Sequence, residues 1–318
     1  MLHLRIVSEP TRTEAVAELL ERDDATTNVV VLAGACRQPA GDLVLCDVAN
    51  EDASLLLADL RALGVTEDGA IAVERVELAD SPAARRATKD APGEESDAVV
   101  WEAVQARSRE ESRVSWSYVT FMALAAAIAL SGLMTDSAIL IVGAMVVSPD
   151  FGPLAGLCVA VDARRGSEAR AALITTAVGL VIAIGVAAAL AELIVQLDLT
   201  PDAFDFDRGL SSIISRPDAF TVITALAAGA AGMLSLLTAK SGALVGVLIS
   251  VTTIPASAQI GLAAAFREWD SAGGAAVQLA SNVVLVVLAG SATLLVVRAS
   301  YARRRRRHQA GRAARPSE

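Results

Sequence analysis

One carboxylate sits where carboxylates are costly. Asp150 is the only charged residue in ILIVGAMVVSPDFGPLAGLCVAV, Ile139 to Val161, a run long enough to cross a bilayer. A charge near the membrane centre costs about 2.5 to 3.5 kcal/mol on insertion scales, so it implies a compensating role such as a proton or cation site. Pro149, Gly152 and Pro153 surround it. A proline removes a backbone donor and clashes with the carbonyl four residues back, so the helix is expected to break there. A local reading stands beside the chemical one. Ser148 or Asp150 can cap the half-helix that restarts after the break, and capping does not exclude a functional role. Ser148, Thr252, Thr253, Ser257 and Gln259 offer neutral oxygens, and Asn282 lies within the last apolar stretch. Each of these, taken singly, is also the kind of residue that hydrogen-bonds one membrane helix to another. The candidate substrate- or ion-binding set is Ser148, Pro149, Asp150, Gly152, Thr253, Pro255, Ser257 and Asn282.

Enzyme chemistry finds no support in the same residues. His3 and His308 fall outside the apolar runs, which removes a serine–histidine dyad, and Asp150 has no second aspartate within them for a carboxylate pair. Cys36, Cys46 and Cys158 show neither CxxC spacing nor histidine partners, so no metal site, disulfide framework or cofactor is expected. They read as small apolar residues in a reducing compartment.

The elements that must position Asp150 follow from hydropathy. With 54% hydrophobic residues and a mean hydropathy of +0.51, concentrated in the last two thirds, the chain reads as several membrane spans after a soluble head. Six apolar stretches follow one another: about Ser117 to Met134, Ile139 to Val161, Ala171 to Leu193, Ala219 to Leu237, Ala243 to Phe266 and Ala275 to Val297. The second and fifth are interrupted, GAMVVSPDFGPLAGL by Pro149 and GVLISVTTIPASAQIGL by Pro255. Three spans with a broken middle one, twice, predict two inverted three-helix repeats with the working site between the broken helices. Freed backbone groups cannot face lipid, so the breaks must be buried in protein or line a wet cavity. Gly152 with Gly156, and Gly242 with Gly246, are spaced for close helix approach. Glu192 and Lys240 lie near span ends and read as snorkelling residues. Trp116, Tyr118 and Trp269 read as interfacial anchors.

The net charge is −9, and its distribution gives an orientation. Arg107, Arg109 and Arg113 precede the first span, Arg164, Arg165 and Arg170 follow the second, Lys240 lies between the fourth and fifth, and Arg298 with Arg303 to Arg307 follows the sixth. Basic residues favour the cytoplasmic side, which places both termini there and sends the acidic loop with Asp198, Asp202, Asp205 and Asp207 across. The chain opens without a basic start and apolar run, so the first span is expected to serve as the membrane signal. The arginine-rich tail suits anionic lipid rather than nucleic acid.

The organisation expected is a head over residues 1–78, a linker over 79–97, a juxtamembrane amphipathic helix over 98–115, six spans over 116–299 and a basic tail over 300–318. In the head LHLRIV, NVVVLAGA, DLVLCDV and AIAVERVEL read as strands, with helices over Thr11 to Glu21 and Asp52 to Leu63. The order β-α-β-β-α-β is the ferredoxin-like arrangement, suited either to small-molecule sensing or to oligomerisation. In the juxtamembrane helix Val100, Val104 and Arg107 share a face beside Trp101, which predicts packing against the head or lying on the membrane.

The runs DAVVWEAVQARSREES, SAILIVGAMVVSPDFGPLAGL, GALVGVLISVTTIPASAQIGL and SNVVLVVLAG resemble the bacterial membrane family called domain of unknown function 389. The likeness spans Ala98 to Val297, and its most specific motif is GAM-x-x-x-P-x-x-G-P-L at Gly143 to Leu154. It implies a multi-pass inner-membrane protein, often with a small N-terminal domain. Many members have a double proline in the fifth span, where this chain has Ile254, Pro255 and Ala256, so a gentler break is expected there. The functional expectation is a transporter or channel for a small solute or ion with a cytoplasmic regulatory head, in homo-oligomers. The alternative is a membrane-anchored sensor or scaffold without transport.

Overall fold

A computed structural model describes residues 1–76, 81–82, 86, 101–202, 204–238 and 253–313. The linker apart from its residues 81, 82 and 86, Lys240, Gly242, Gly246, Thr252 and the first half of the fifth apolar stretch lie outside the described residues, as do the side chains of Arg304 to His308. Two compact units emerge, Met1–Val104 and Gln105–Glu318.

In the first unit, burial alternates along β1 and most of β3, which gives them one buried face, whereas β2 is largely exposed, with Val30, Val31 and Leu32 open to the surface. Strands β1 (Leu2–Ser8), β2 (Thr26–Arg37), β3 (Ala40–Val48) and β4 (Ala70–Arg75) form one sheet in the order β2-β3-β1-β4, with every neighbouring pair antiparallel. Helices α1 (Pro10–Glu21) and α2 (Asn50–Ala62) supply Val16, Leu20, Leu56 and Leu60 to a core shared with Leu4, Ile6, Val44 and Cys46. Pro10 at the start of α1 costs nothing, because the first turn of a helix has no use for its missing donor. Gly64, at φ +78°, turns the chain from α2 into the short α3 (Val65–Asp68). Burial pushes the Cys46 thiol up to about 12, which keeps it protonated and inert. Asp42 is held below the usual carboxylate range by the Gly34 amide at 2.8 Å and the Thr13 hydroxyl at 2.7 Å.

Helix α4 (Trp101–Glu111) carries the boundary between the units. Its Trp101 amide donates to the Ser54 hydroxyl at 3.1 Å within the first unit. In the second unit come α5 (Trp116–Met134), α6 (Ala138–Val147), α7 (Phe151–Asp162), α8 (Gly166–Gln196), α9 (Gly209–Ser215), α10 (Ala219–Thr238), α11 (Ile254–Phe266) and α12 (Trp269–Ala313). Among the described residues four helices, α5, α8, α10 and the first 32 residues of α12, are long and apolar enough to cross a membrane. The pair α6 and α7, bent by 51°, makes a fifth. Helix α11 is apolar but short, and the residues before it lie outside those described. Large apolar side chains such as Val181, Phe220, Leu288 and Val296 face outward, as lipid contact requires.

The interior of this unit is built from small residues. Ala125, Ala129, Ala183, Ala187, Ala191, Ala256 and Ala258 are buried, and Gly261 of α11 stands where a Cβ would lie 2.5 Å from the Ile184 carbonyl and 2.7 Å from the Ala188 amide of α8. Without a hydrophobic difference between lipid and side chain, such close backbone approach is what holds membrane helices together. Tyr118 departs from the anchor expected at that position. It is buried, its hydroxyl donates to the Thr175 carbonyl at 3.0 Å, and the space it fills is left by Gly179. Trp116 and Trp269 are exposed at the starts of α5 and α12.

Gly261→Ala is expected to lower the thermal unfolding midpoint of the detergent-solubilised protein, whereas Gly185→Ala, whose new Cβ meets nothing within 4 Å, leaves it unchanged. In the head the sign of the Asp42 effect is fixed by its lowered pKa. Its stabilisation is complete above the ordinary carboxylate pKa of about 3.9 and is lost as pH falls through the folded value below it. Asp42→Ala is therefore expected to speed exchange of the Gly34 amide near pH 6 and to leave the rate at strongly acidic pH little altered.

Candidate functional site

The break after α6 falls where the prolines place it. Helix α6 ends at Val147, Ser148 leaves the helical region at ψ 130°, Pro149 follows, and α7 begins at Phe151 with Pro153 in its first turn. A proline there is harmless, since first-turn amides have no intrahelical acceptor. Asp150 is the residue before α7, yet its own backbone is helical and its side chain makes no capping hydrogen bond to that helix. Thr253 holds the corresponding position before α11, with Pro255 second in that helix. The side chains of these two residues meet: the Thr253 hydroxyl donates to Asp150 Oδ2. Asp150 is 3% exposed and Thr253 1%.

Helices α7 and α11 thus both begin beside one buried carboxylate. Each such end carries about half a positive charge, so together they offset the aspartate and lower the cost of burying it. The compensation is incomplete in hydrogen-bonding terms. The Ser148 side chain and the Phe151 amide bear on the carboxylate, but Oδ1 is buried without a hydrogen-bond partner.

The other expected site residues take different places. Ser148 is half-buried, with its hydroxyl 3.6 Å from Met122 Sδ. Ser257 is fully buried but donates back to the Thr253 carbonyl at 2.9 Å, an internal helix bond that turns its hydroxyl away from Asp150. Pro255 is buried within α11, and Asn282 is fully buried on α12. Gly152 serves packing: a Cβ there would stand 2.8 Å from Glu111 Cβ, and one at Gly156 would run into the Ser112 hydroxyl. The end of α4 therefore seats on the glycines of α7, immediately after the break. The Thr175 hydroxyl fixes this seat by donating to the Ser112 carbonyl at 2.8 Å. Helix α4 was expected to pack against the head or to lie on the membrane; its start bonds Ser54 of the head, and its last turn also meets α7, where paired glycines remove the side chains that would keep it out.

Further buried polar residues, unforeseen as a group, lie on α9, α11 and α12. Gln259 Nε2, with two hydrogens to donate, lies 2.6 Å from Ser211 Oγ, 2.9 Å from Ser271 Oγ and 3.2 Å from Ser215 Oγ. The signal available in sequence was a Ser-rich turn, GLSSIIS, in a loop that is otherwise acidic. Among the described residues no group of three or more histidine, cysteine or acidic side chains converges to hold a metal ion.

Apolar helices long enough to cross a membrane, with a bent pair and a buried carboxylate at the bend, point to a membrane protein. Residues 145–288 match the family model described as domain of unknown function (DUF389), a stretch that includes the break, α7 to α11 and most of the α12 span. No curated protein and no solved structure matches the chain.

Removing the Thr253 hydroxyl leaves a buried carboxylate oxygen without its donor, a loss of about 1.5 to 3 kcal/mol for a hydrogen bond to a charged group. Thr253→Val is expected to show that loss in denaturation midpoints of the solubilised protein, and Thr253→Ser to retain most of the stability. In an Asp150→Asn background the Thr253→Val penalty shrinks, because the two residues act as one pair.

Proposed function

We propose that the protein conducts or carries a small solute or ion across the membrane, with its site at the meeting of α7 and α11 and with the head regulating access. The observation that supports this most strongly is Asp150: a buried carboxylate, held at the ends of two half-helices, with one oxygen unsatisfied. A chain that only anchored its head in the membrane would gain nothing from breaking a span and burying a charge at the break.

The reading includes six spans in two inverted repeats. Contact between the residues that precede α7 and α11 favours it, because equivalent positions of inverted halves approach each other at the axis relating them. Both termini then lie in the cytoplasm of a bacterial inner membrane, and the arginines that end α12 engage anionic lipid. The head, with strand order β2-β3-β1-β4, is ferredoxin-like in this reading. Assembly into homo-oligomers, absence of catalysis and absence of nucleic-acid binding complete the proposal.

The test is current from full-length protein in proteoliposomes on a solid-supported membrane, challenged in turn with alkali, ammonium, halide and small organic acid salts. A current with at least one salt, abolished by Asp150→Asn in protein that still elutes as a folded species, is the expected result. A folded protein silent to every salt, yet stabilised by a small molecule only when the head is present, would make it a membrane-anchored sensor.

A further inference from the structure

A seam of polar residues runs along α11 and α12 from the link that joins them. At its outer end stands Gln259 of α11, fully buried, with three serine hydroxyls around its Nε2 and none on its Oε1. The Ser215 and Ser271 hydroxyls also bond each other at 2.7 Å. Further in lies Gln278 of α12, 8% exposed, whose Oε1 is again buried without a partner. Ser271, Gln278 and Asn282 recur at spacings of seven and four residues, which places them along one face of α12. Helices α11 and α12 are joined at Arg267 and Glu268 and pack as a hairpin. At about 1.5 Å per residue, Gln259 lies roughly 12 Å from that link, Gln278 roughly 15 Å, and Thr253 and Asn282 both roughly 21 Å. The polar layers therefore descend by steps from the serine cluster to the depth of the Thr253–Asp150 pair.

The atoms left unsatisfied along this descent share one chemistry. Gln259 Oε1, Gln278 Oε1 and Asp150 Oδ1 are all acceptors, and buried acceptors are ordinarily matched by donors or by a cation. We propose that this seam is the path to Asp150 and that its occupant is a small monovalent cation, an alkali ion or ammonium. The proposal rests on the transport reading above and specifies its substrate class. Amide and hydroxyl oxygens replace the hydration shell of such an ion without trapping it, and the one full charge lies at the end of the path, where the two helix ends moderate its hold. The arrangement seen is the closed one. The Gln259 amide nitrogen fills the point where the three hydroxyl oxygens converge, so a cation takes that point only when the amide turns away. Helix α9 is drawn tight over it, since a Cβ on Gly274 of α12 would run into the Ser215 carbonyl.

The experiment uses full-length protein in proteoliposomes, with potassium, sodium and ammonium chlorides against N-methylglucamine chloride and nitrate. Alkali or ammonium flux that is indifferent to the anion, and lowered about tenfold by Gln278→Leu, is expected; tenfold corresponds to loss of one ligand hydrogen bond. In parallel, Ser271→Cys and Gln278→Cys are placed singly in a chain whose three native cysteines are serine. A cationic methanethiosulfonate is expected to label both faster than its anionic counterpart, with potassium chloride slowing the reaction relative to N-methylglucamine chloride. Asp150-dependent flux of anions instead of cations would overturn the substrate class and leave the transport reading in place. Cation flux with both thiols unreactive and Gln278→Leu unimpaired would overturn the seam alone. Folded protein that passes none of these salts would remove the transport reading and this proposal with it.

Discussion

A buried carboxylate held between the starts of α7 and α11 is the constraint on which the second unit depends. Neither Asp150 nor the two helix N-termini is tolerable alone in a low-dielectric interior: a lone charge is costly there, and so are first-turn amides with nothing to face. Brought together they offset one another, and the Thr253 hydroxyl adds a charge-assisted hydrogen bond across the junction. The arrangement requires that α6 stop at Val147, that α7 restart at Phe151 and that α11 begin beside them. The prolines at 149, 153 and 255 enforce this at little cost, because each sits in a break or a first turn.

Small residues make the junction reachable. Alanines line α5, α8 and α11, and Gly261 lets α11 press on the backbone of α8, so Thr253 arrives at Asp150 on a rigid helix. Gly152 and Gly156 do the same for α4, whose last turn rests on the first turns of α7. Asp150 and the glycines that receive α4 thus lie within two turns of each other.

The polar layers fit the same economy. Hydroxyls on α9 and α12 and an amide on α11 form a neutral cluster nearer the end of the α11–α12 hairpin, and the only buried carboxylate of the described membrane unit lies deeper. A charge at the outer end would be hydrated and weak; at depth, between helix ends, it acts in a drier medium on whatever reaches it. The family match covers this whole region without naming its chemistry, so the site itself must carry the functional argument.

Much of this was legible in the amino-acid order. Periodicity two located the strands of the head, hydropathy located the long apolar helices, and proline chemistry located the break at Pro149, because all three act over neighbouring residues. Asp150 drew attention for a reason equally local, a charge inside an apolar run. What the sequence could not decide is which residues meet. Thr253 and Ser257 looked alike as oxygens near Pro255, yet one reaches across 103 positions to Asp150 and the other bonds back within its own helix. Tyr118 carried the composition of an interfacial anchor and became a buried strut because Gly179, on another helix, leaves room for it. The seat of α4 on Gly152 and Gly156, and the gathering of Ser211, Ser215 and Ser271 around Gln259, are likewise products of packing. Local order dictates where helices start, break and turn their apolar faces; close approach between distant backbones, set by the absence of side chains, selects which of their polar groups share a site.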